Sequence, residues 1–256
     1  MLLKSILDAV MERRARQLME QVGAWLPTEG RVLDLGSGTG HLSARLERKL
    51  GLEVVTADVS DLHVVGRPPV LIADGVLPFE EGTFSAALLF SMLAYPNDPA
   101  GVLSEAARVT RGPIIVVQSL HSGHVGYAWL RVREFLWTIV AFHVSKVLGY
   151  VPSDAKFTMN TRRFYTAQEL QRDVTAAGLQ VRSRRERPVL PGCSLVVAGW
   201  ILEPAFARCA KARATAGRPA SARRAKTPAT AGGPACALRV SARSRRSASR
   251  EGGRGE

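Results

Sequence analysis

The sequence contains few of the residues that build disulfide frameworks or structural metal sites. Its 256 residues include three cysteines, Cys193, Cys209 and Cys236, which are far apart, and it has no Cys-x-x-Cys pair or Cys/His cluster. Closely spaced cysteines and histidines are the mark of disulfide scaffolds and zinc sites. The sequence therefore predicts a reducing, cytoplasmic location and no metal site.

Long apolar runs are also absent. Lys4, Asp8 and Glu12 interrupt the first 17 residues, so this stretch lacks the apolar core of a signal peptide and favours an amphipathic helix. The apolar run at 135–144 has ten residues, about half of what a membrane-spanning helix needs. We therefore expect neither export nor a membrane span formed by this run alone.

Acidic residues are scarce mainly in one part of the chain. The formal net charge is +13, and residues 203–256 hold 13 Lys or Arg and three acids, a net of +10, which leaves +3 for residues 1–202. Ala, Arg, Ser, Gly, Thr and Pro dominate that terminal segment, which cannot bury enough apolar surface to offset its chain entropy. We predict a folded domain over 1–202 and a disordered basic tail over 203–256. The tail is either an arm for RNA or a membrane surface, or an extension with no selected role.

Short apolar runs alternate with helix-compatible segments over the middle of the chain. The runs lie at 31–35, 53–57, 69–73, 85–90 and 113–118, and the clearest helical segments lie at 39–50 and 98–109. This alternation predicts βαβ units on a parallel sheet that is covered on both faces. Two further runs, 179–189 and 194–202, are joined by Pro191-Gly192, which favours a hairpin. The prediction is an α/β fold with a doubly wound, mostly parallel seven-stranded sheet whose last strand is antiparallel.

A helix is also predicted at 166–177, just before the hairpin. Thr166 and Glu169 have the spacing of a capping box, and Gly178 follows at the stop position. The preceding segment, 124–165, is predicted to be a helical lid or insertion. Its aromatic-rich part, 124–151, could form an acceptor pocket, touch a membrane surface, or simply be a core helix covering the sheet.

The first strand runs into three closely spaced glycines, Gly36, Gly38 and Gly40. Such a loop lets a ligand approach the backbone closely. A dinucleotide fingerprint would need a small residue at position 41, where this chain has His41. Asp34 stands two residues before the first glycine, where its carboxylate would repel a pyrophosphate and attract a positively charged ligand. The pattern favours a cationic cofactor over NAD(P).

Two more acids end the next strand-like runs. Asp58 lies 22 residues after Gly36, and Asp74 ends the third run. In doubly wound folds an acid at the end of the second strand accepts hydrogen bonds from ribose hydroxyls. Because the carboxyl ends of successive parallel strands share one rim, we expect Asp34, Asp58 and Asp74 to face the same ligand.

These motifs resemble the class I S-adenosylmethionine-dependent methyltransferases, particularly the group with the type 11 methyltransferase domain. The resemblance covers about 25–120 well and extends more loosely to 202. It implies a Rossmann-like methyltransferase fold, S-adenosylmethionine as cofactor, and the following cofactor-binding residues: Asp34, Gly36, Ser37, Gly38, Gly40, Asp58, Val59, Asp74, Gly75 and Ser91. One departure concerns the acceptor, because Ala94-Tyr95 replaces the His that this family typically has at the end of its fourth strand.

The chemistry implied by this resemblance depends mainly on holding donor and acceptor in line. A general base is needed only for an acceptor that arrives protonated, and His121 and His124, just past the fifth strand, are the candidate catalytic residues. The fourth strand ends in Phe90-Ser91-Met92-Leu93, which is not the Asn/Asp-Pro-Pro-aromatic motif of exocyclic-amine methyltransferases. The sequence has no cysteine near the fourth or fifth strand for covalent C5 chemistry on pyrimidines.

The favoured acceptor is therefore a small, apolar organic molecule, with nucleic acid expected only through the tail. Two alternatives stay open. One is an RNA-binding or RNA-modifying methyltransferase that uses the basic tail, and the other is a catalytically inactive interaction module of the same fold.

Overall fold

The structure is a computed structural model that describes residues 2–136, 142–150, 161–189 and 195–204. The helices are α1 (Leu2–Val22), α2 (His41–Leu50), α3 (Pro99–Val109), α4 (Gly123–Phe135), α5 (Phe142–Val147) and α6 (Ala167–Ala176), with a 3₁₀ turn at Gly23–Trp25. The strands are β1 (Arg31–Leu35), β2 (Glu53–Asp58), β3 (Val70–Leu71), β4 (Ala86–Phe90), β5 (Ile114–His121), β6 (Leu179–Pro188) and β7 (Leu195–Pro204).

The seven strands form one sheet in the order β3-β2-β1-β4-β5-β7-β6. Strands β1 to β5 are parallel to one another, whereas β7 runs antiparallel to both β5 and β6. This is the Rossmann-like methyltransferase architecture, and it confirms the predicted fold class. From β1 the sheet continues to β2 and β3 on one side and to β4 and β5 on the other. Sheets of this kind bind ligands in the crevice at the point where the strand order reverses.

The connections around β3 differ from the simple alternation of strands and helices. Residues 59–69 and 72–85 form no helix, and β3 itself is only two residues long. Pro68, Pro69 and Pro78, together with several glycines, interrupt both connections. Proline removes an intrahelical hydrogen bond and glycine raises the entropic cost of a helix. As a result, irregular loops cover this edge of the sheet.

The core consists of two apolar layers, one on each face of the sheet. Val32 and Leu88 pack with α1 and α2, while their neighbours Leu33 and Leu89 pack with α3 and α6. Alternate residues of a strand point to opposite faces, so these fully buried strands are apolar at nearly every position. Truncating a side chain such as Leu88 to Ala would cost about 2–5 kcal/mol. The layers hold the carboxyl ends of the strands in fixed positions.

The predicted helical segment before the last helix contains α4 and α5, while 137–141 and 151–160 lie outside the described residues. The predicted capping box is confirmed: Thr166 Oγ1 accepts from the Glu169 N–H at 3.3 Å, and Glu169 Oε2 accepts from the Thr166 N–H at 2.8 Å. Most of the predicted basic tail, 205–256, also lies outside the described residues. Within the described part of the chain, no helix is long and apolar enough to cross a membrane.

Candidate active site

A cavity of about 1020 Å³ opens at the carboxyl ends of the central strands. One part of its lining comes from the ends of β1 and β2, the glycine loop, the residues that follow β2 and β3, residues 91–92 after β4, and Glu105 of α3, and we call this the loop wall. The other part, the helical wall, comes from α1, α4 and α5, from residues 94–96 and 161–164, and from residues 187–189. The two sets of residues thus face one continuous cavity.

The glycine loop approaches its neighbours too closely for side chains. Gly36 has a φ of +78°, and a Cβ there would lie 2.8 Å from the Cβ of Met92. A Cβ at Gly40 would lie 2.3 Å from the carbonyl oxygen of Val65. Gly38 is different, because a Cβ there would meet no protein atom within 4 Å although the residue lines the cavity. The backbone at Gly38 therefore borders open space that a ligand can fill.

Asp58 is held at the end of β2 by backbone donors. Its Oδ2 accepts a hydrogen bond from the Gly38 N–H at 2.9 Å, and its Oδ1 accepts from the Val59 N–H at 2.7 Å. The residue is only 2% exposed, and burial raises the pKa of its carboxyl, while these hydrogen bonds act in the opposite direction. A carboxylate can accept about four hydrogen bonds. Asp58 Oδ1 also accepts from the Ser60 N–H at 3.4 Å, so the carboxylate lines the cavity with room for about one more hydrogen bond, such as one from a ligand hydroxyl.

Asp34 is the second buried acid of the loop wall. It is 1% exposed, and the hydroxyl of Ser43 donates a hydrogen bond to its Oδ2. Burial raises the pKa of Asp34 to about 6, the hydrogen bond from Ser43 acts to lower it, and the nearby charge of Asp58 raises it further. Two buried acids make this wall favourable for a cation. This matches the preference inferred from the sequence.

The residues that follow β4 complete the loop wall beside the glycine loop. Ser91 has a φ of +52°, a conformation that costs a non-glycine residue about 1 kcal/mol or more, and its N–H donates to the Val117 carbonyl at 2.7 Å. The following residue, Met92, packs against Gly36. Both Ser91 and Met92 line the cavity. Strained backbone at this position brings the β4 loop and the glycine loop together.

Two contacts of the loop wall could not be predicted from any motif in the sequence. His63, for which the sequence shows no supporting context, lies with its Nε2 2.9 Å from Ser37 Oγ, so the two share a hydrogen bond. Glu105 of α3 lines the cavity and accepts the Leu77 N–H at 2.9 Å. Arg108 bonds to Glu105 and to the Leu77 carbonyl, and this lowers the pKa of Glu105. A helix thereby braces the loop after β3.

The structure brings most of the predicted cofactor residues to one wall. The following line the cavity: Asp34, Gly36, Ser37, Gly38, Asp58, Val59, Gly75 and Ser91. Gly40 lies behind the glycine loop, against Val65, and Asp74 is exposed with a φ of +57° outside the cavity lining. The role of Asp74 in adenine recognition stays a prediction.

Neither predicted catalytic histidine is part of the cavity lining. His121 Nε2 lies 3.3 Å from the Phe164 carbonyl oxygen, and its ring packs edge-on against Tyr127. Phe164 itself lines the cavity, which places His121 in a layer behind the wall. His124 is exposed in the first turn of α4. Their assignment as catalytic bases stays a prediction.

His41 connects the glycine loop to the helical wall. Its Nδ1 lies 3.0 Å from Thr39 Oγ1, and its Nε2 lies 3.3 Å from the Tyr150 hydroxyl and 3.4 Å from an Asp8 carboxylate oxygen. Burial and the neighbouring Asp8 raise the pKa of Tyr150. His41, the residue that departs from the dinucleotide motif, therefore contacts both the start of α1 and the chain after α5.

Part of the helical wall is apolar. Met11, Trp129, Leu130 and Phe142 line the cavity. Several other apolar side chains of α4 face solvent, including Val125, Val132 and Phe135. Peripheral membrane contact through 124–151 stays a prediction, and residues 137–141 of this segment lie outside the described residues.

The rest of the helical wall is polar and contains charged residues from distant parts of the chain. Arg14 of α1, Tyr95 after β4, and Arg133 and Glu134 of α4 all line the cavity. Burial and the charge of Arg133 lower the pKa of Arg14, while burial and the charge of Glu134 raise the pKa of Tyr95. The Thr161 hydroxyl donates to Glu134, and Arg133 Nη1 donates to Ser119 Oγ on β5 at 3.2 Å. Folding alone brings these residues together.

The loop wall fits S-adenosylmethionine. Asp58 offers acceptors for ribose hydroxyls, the open space at Gly38 admits a ligand against the backbone, and Asp34 favours a positive charge. S-adenosylmethionine presents ribose hydroxyls, an ammonium group and a sulfonium. A pyrophosphate would face two buried carboxylates at the same wall.

Comparisons with known proteins agree with this fit. A family model described as a methyltransferase domain matches residues 7–184. A search of curated proteins found no match to the sequence. Among solved structures, a geranyl diphosphate methyltransferase in complex with S-adenosylmethionine is 13% identical, with a TM-score of 0.50, and the match covers 75% of this chain and 84% of that one.

Two further structures show the same fold. An S-adenosylmethionine-dependent methyltransferase from Methanosarcina mazei is 16% identical, with a TM-score of 0.50 and coverage of 72% of this chain and 96% of that one. The [4+2]-cyclase SpnF is 15% identical, with a TM-score of 0.51 and coverage of 75% and 80%. At these identities the structures establish the fold alone, while the family match extends over most of the chain. The protein belongs to the class I S-adenosylmethionine-dependent methyltransferases, as its glycine loop and strand-end acids predicted.

Proposed function

We propose that this methyltransferase transfers a methyl group from S-adenosylmethionine to a small organic molecule with an apolar body. The observation that carries the proposal is a continuous cavity of about 1020 Å³, which joins the acidic loop wall to the partly apolar helical wall. Ligand cavities for one small molecule measure about 300–1,000 Å³. The cavity lies at the upper end of this range, so two ligands that each need about 300–500 Å³ fit within it.

S-adenosylmethionine supplies a methyl group on a positively charged sulfur, which the nucleophilic atom of the acceptor displaces in line, leaving a neutral thioether. The protein's part is to orient both molecules, which alone can lower the barrier by several kcal/mol. Asp58 and the backbone at Gly38 would hold one end of the cofactor, and Asp34 would favour its positive charge. Ser91 and Met92 lie where the loop wall borders the rest of the cavity.

The helical wall supports an acceptor with an apolar body. Trp129, which is 42% exposed, and the half-buried Met11 present apolar surface that would be removed from water by such a molecule, at about 25 cal/mol per Å². A nucleic acid would instead need an excess of positive charge along the surface to bind its phosphates. Residues 1–202 carry a net charge of only +3. These features favour a small-molecule acceptor for the folded domain.

An acceptor that arrives protonated must lose a proton during transfer. Burial raises the pKa of Tyr95, so its hydroxyl remains protonated and acts as a donor that positions the acceptor. Glu134 is the one carboxylate among the described residues of the helical wall. We therefore assign proton acceptance to Glu134 for such acceptors. His121 and His124 are the alternatives predicted from the sequence, and E134Q compared with H121Q distinguishes them.

The proposal is tested in two steps on the full chain. Calorimetric titration of S-adenosylhomocysteine first measures whether the loop wall binds the cofactor product, and we expect micromolar affinity. A screen of quinols, phenols and lipids with S-adenosylmethionine then detects transfer through formation of S-adenosylhomocysteine. Transfer to one of these small molecules supports the proposal. Absence of cofactor binding by the folded protein would favour the inactive interaction module instead.

A further inference from the structure

The solvent side of α4 is apolar. A helix that covers a sheet normally carries charged and polar side chains on the side that faces water. In α4, exposed apolar residues recur every three or four positions, so that they share one helix face, and we call them the outer stripe: Val125, Ala128, Trp129, Val132, Phe135 and Leu136. Gly126 and Leu130 are the buried residues of this helix. The outer stripe therefore lies opposite the face that packs on the protein.

The outer stripe continues into the cavity. Trp129 and Leu136 are both exposed to solvent, and both also line the cavity. The buried Leu130, next to Trp129, belongs to the same helical wall. An apolar molecule that lies on the outer stripe can thus pass over Trp129 and Leu136 to the helical wall while keeping contact with apolar surface.

The surface beside the outer stripe is basic, in contrast to the acidic loop wall. The described residues of α4, of α5 and of the chain just before α6 (161–166) include one acid, Glu134, which is half-buried. Arg163 is paired with Asp173 at 2.9 Å. The same segments contain five basic residues: Arg131, Arg133, Lys146, Arg162 and Arg163. Their formal charge is therefore clearly positive.

Arg131 places part of this charge at the edge of the cavity. Its side chain is exposed, and its guanidinium carbon lies 6.0 Å from the centre of the Phe164 ring, which lines the cavity. Phe135 follows four positions later, so Arg131 and the outer stripe are neighbours on the helix surface. Arg162, also exposed, lines the cavity close to Phe164 in the sequence.

An anionic lipid bilayer matches both the apolar stripe and its basic margin. Helices that lie on bilayers bury an apolar face at the boundary of headgroups and acyl chains, while arginines and lysines attract anionic headgroups. Tryptophan and tyrosine are enriched at this boundary, and Trp129 and Tyr127 are both exposed on α4. A second copy of the chain fits less well, because a stable interface takes about 20–30 residues from each partner. The outer stripe has six residues on one helix.

We propose that the outer stripe docks on an anionic lipid bilayer and that the cavity opens onto this bilayer at Trp129 and Leu136. The acceptor then enters the helical wall from the bilayer, a step that rests on the proposed function. The docking itself does not depend on methyl transfer. The acceptor class is thus a lipid or another molecule dissolved in the membrane.

Docking is tested by flotation of the full chain with vesicles of phosphatidylcholine that contain about 30% phosphatidylglycerol. The variant V132Q/F135Q changes two side chains that are 50% and 57% exposed and lie outside the cavity lining. We expect its vesicle binding to be at least tenfold weaker, with S-adenosylhomocysteine affinity within twofold of the original. The matched control is L50Q/L71Q, at 39% and 60% exposed residues of α2 and β3 outside the cavity lining, which should bind vesicles like the original.

The charge beside the stripe is tested separately. R131Q should weaken binding to the anionic vesicles about fivefold, the effect of one basic residue near such a surface. R48Q, at an exposed arginine of α2, is the control and should change binding less than twofold. The basic tail, with its net charge of +10, is present in every variant, so differences between variants report on α4.

The opening of the cavity onto the bilayer is tested by fluorescence. Vesicles with brominated acyl chains quench tryptophans that reach the hydrocarbon region. We expect the original protein to be quenched and the quenched signal to fall about twofold in W129F. W25F, at a half-buried tryptophan of the 3₁₀ turn, should retain the quenched signal.

The combined outcomes decide the inference. Weaker vesicle binding by V132Q/F135Q but not by L50Q/L71Q, together with reduced quenching in W129F, supports it. Equal binding by the two double variants overturns it, because the tail or another surface then binds the lipid. The absence of vesicle binding by the original protein, or equal quenching in W129F and the original, also overturns it.

Two further measurements separate the alternatives. A dimer in solution that V132Q/F135Q converts to a monomer, with vesicle binding unchanged, would assign the outer stripe to a second copy and overturn the inference. Titration with S-adenosylhomocysteine in the absence of vesicles tests the proposed function by itself. A protein that docks on vesicles but does not bind S-adenosylhomocysteine would refute the proposed function and support the docking.

Discussion

The two walls of the cavity differ in how they are built as well as in charge. The loop wall is made of short segments that follow parallel strands, with Asp34 and Asp58 held by Ser43 and by backbone N–H groups. The helical wall combines Arg14, Tyr95 and Arg133, which are tens of residues apart and belong to different elements. The first wall is fixed by the sheet, and the second by how helices pack over it.

This difference separates what the fold shares with its relatives from what is individual to this chain. Parallel strands end at one rim, so a ligand that contacts backbone and strand-end acids is held in the same way wherever this sheet forms. Side chains from packed helices can change without changing the sheet. We therefore expect cofactor binding to depend on the loop wall and acceptor choice to depend on the helical wall, as the following changes test.

The largest effect is expected from D58N. The amide keeps the size of the side chain but removes the charge and one acceptor oxygen, so S-adenosylhomocysteine affinity should fall about 100-fold, or about 2.7 kcal/mol. The control is D74N, an exposed acid on the same rim, for which a change below threefold is expected. Calorimetry measures both affinities. Equal losses in the two variants would show that Asp74 also contacts the cofactor.

The next largest effect is expected from G38A. Its Cβ would enter the open space beside the loop wall and weaken S-adenosylhomocysteine binding at least tenfold. G51A is the matched control, because Gly51 ends α2 with a φ of +65°, also has no neighbour within 4 Å, and does not line the cavity. Both variants should lose about 1 kcal/mol of unfolding free energy from backbone strain. Unchanged affinity in G38A would contradict the placement of the ligand.

A smaller, pH-dependent effect is expected from Asp34. Its pKa of about 6 lies above the unfolded value of about 3.9, so the folded state binds more protons between these values. The unfolding free energy should therefore fall as pH rises from about 4 to 6, by up to about 3 kcal/mol from this group. Denaturant unfolding of the original protein and of D34N measures the difference, which D61N, a change at an exposed acid, should not reproduce.

The same group should affect cofactor binding. Affinity for S-adenosylmethionine should weaken about tenfold as pH falls from 7 to 5, because protonation removes the charge that Asp34 presents to the cation. D34N should bind weakly with a nearly flat profile over this range. An unchanged slope in D34N would assign the titration to another group.

The smallest effect is expected from E105Q, which weakens the brace between α3 and the loop after β3. Loss of the charge-assisted hydrogen bonds to Arg108 should lower the unfolding temperature by about 2 °C and weaken S-adenosylhomocysteine binding about threefold. E47Q, an exposed change on α2, serves as the control. Thermal unfolding and calorimetry measure the two quantities. A loss of affinity as large as that of D58N would show that Glu105 contacts the cofactor directly.

The sequence alone determined the sheet, its antiparallel last strand, the cofactor class and most of the loop wall. Apolar runs and glycines are local signals, and the carboxyl ends of parallel strands must meet, so the order of residues along the chain was enough to assign Asp34 and Asp58 to one rim. The helix-free connections around β3 were less evident, although their prolines disfavoured helices.

Which residues form the helical wall follows only from the tertiary structure. The sequence predicted His121 and His124 as catalytic residues because they lie close to the end of β5, yet neither lines the cavity. Arg14 and Arg133 carry no motif, and each resembles an ordinary solvated charge on its own helix. Their meeting depends on how α1 and α4 pack across the sheet, and such long-range packing is not encoded in the spacing of residues along the chain.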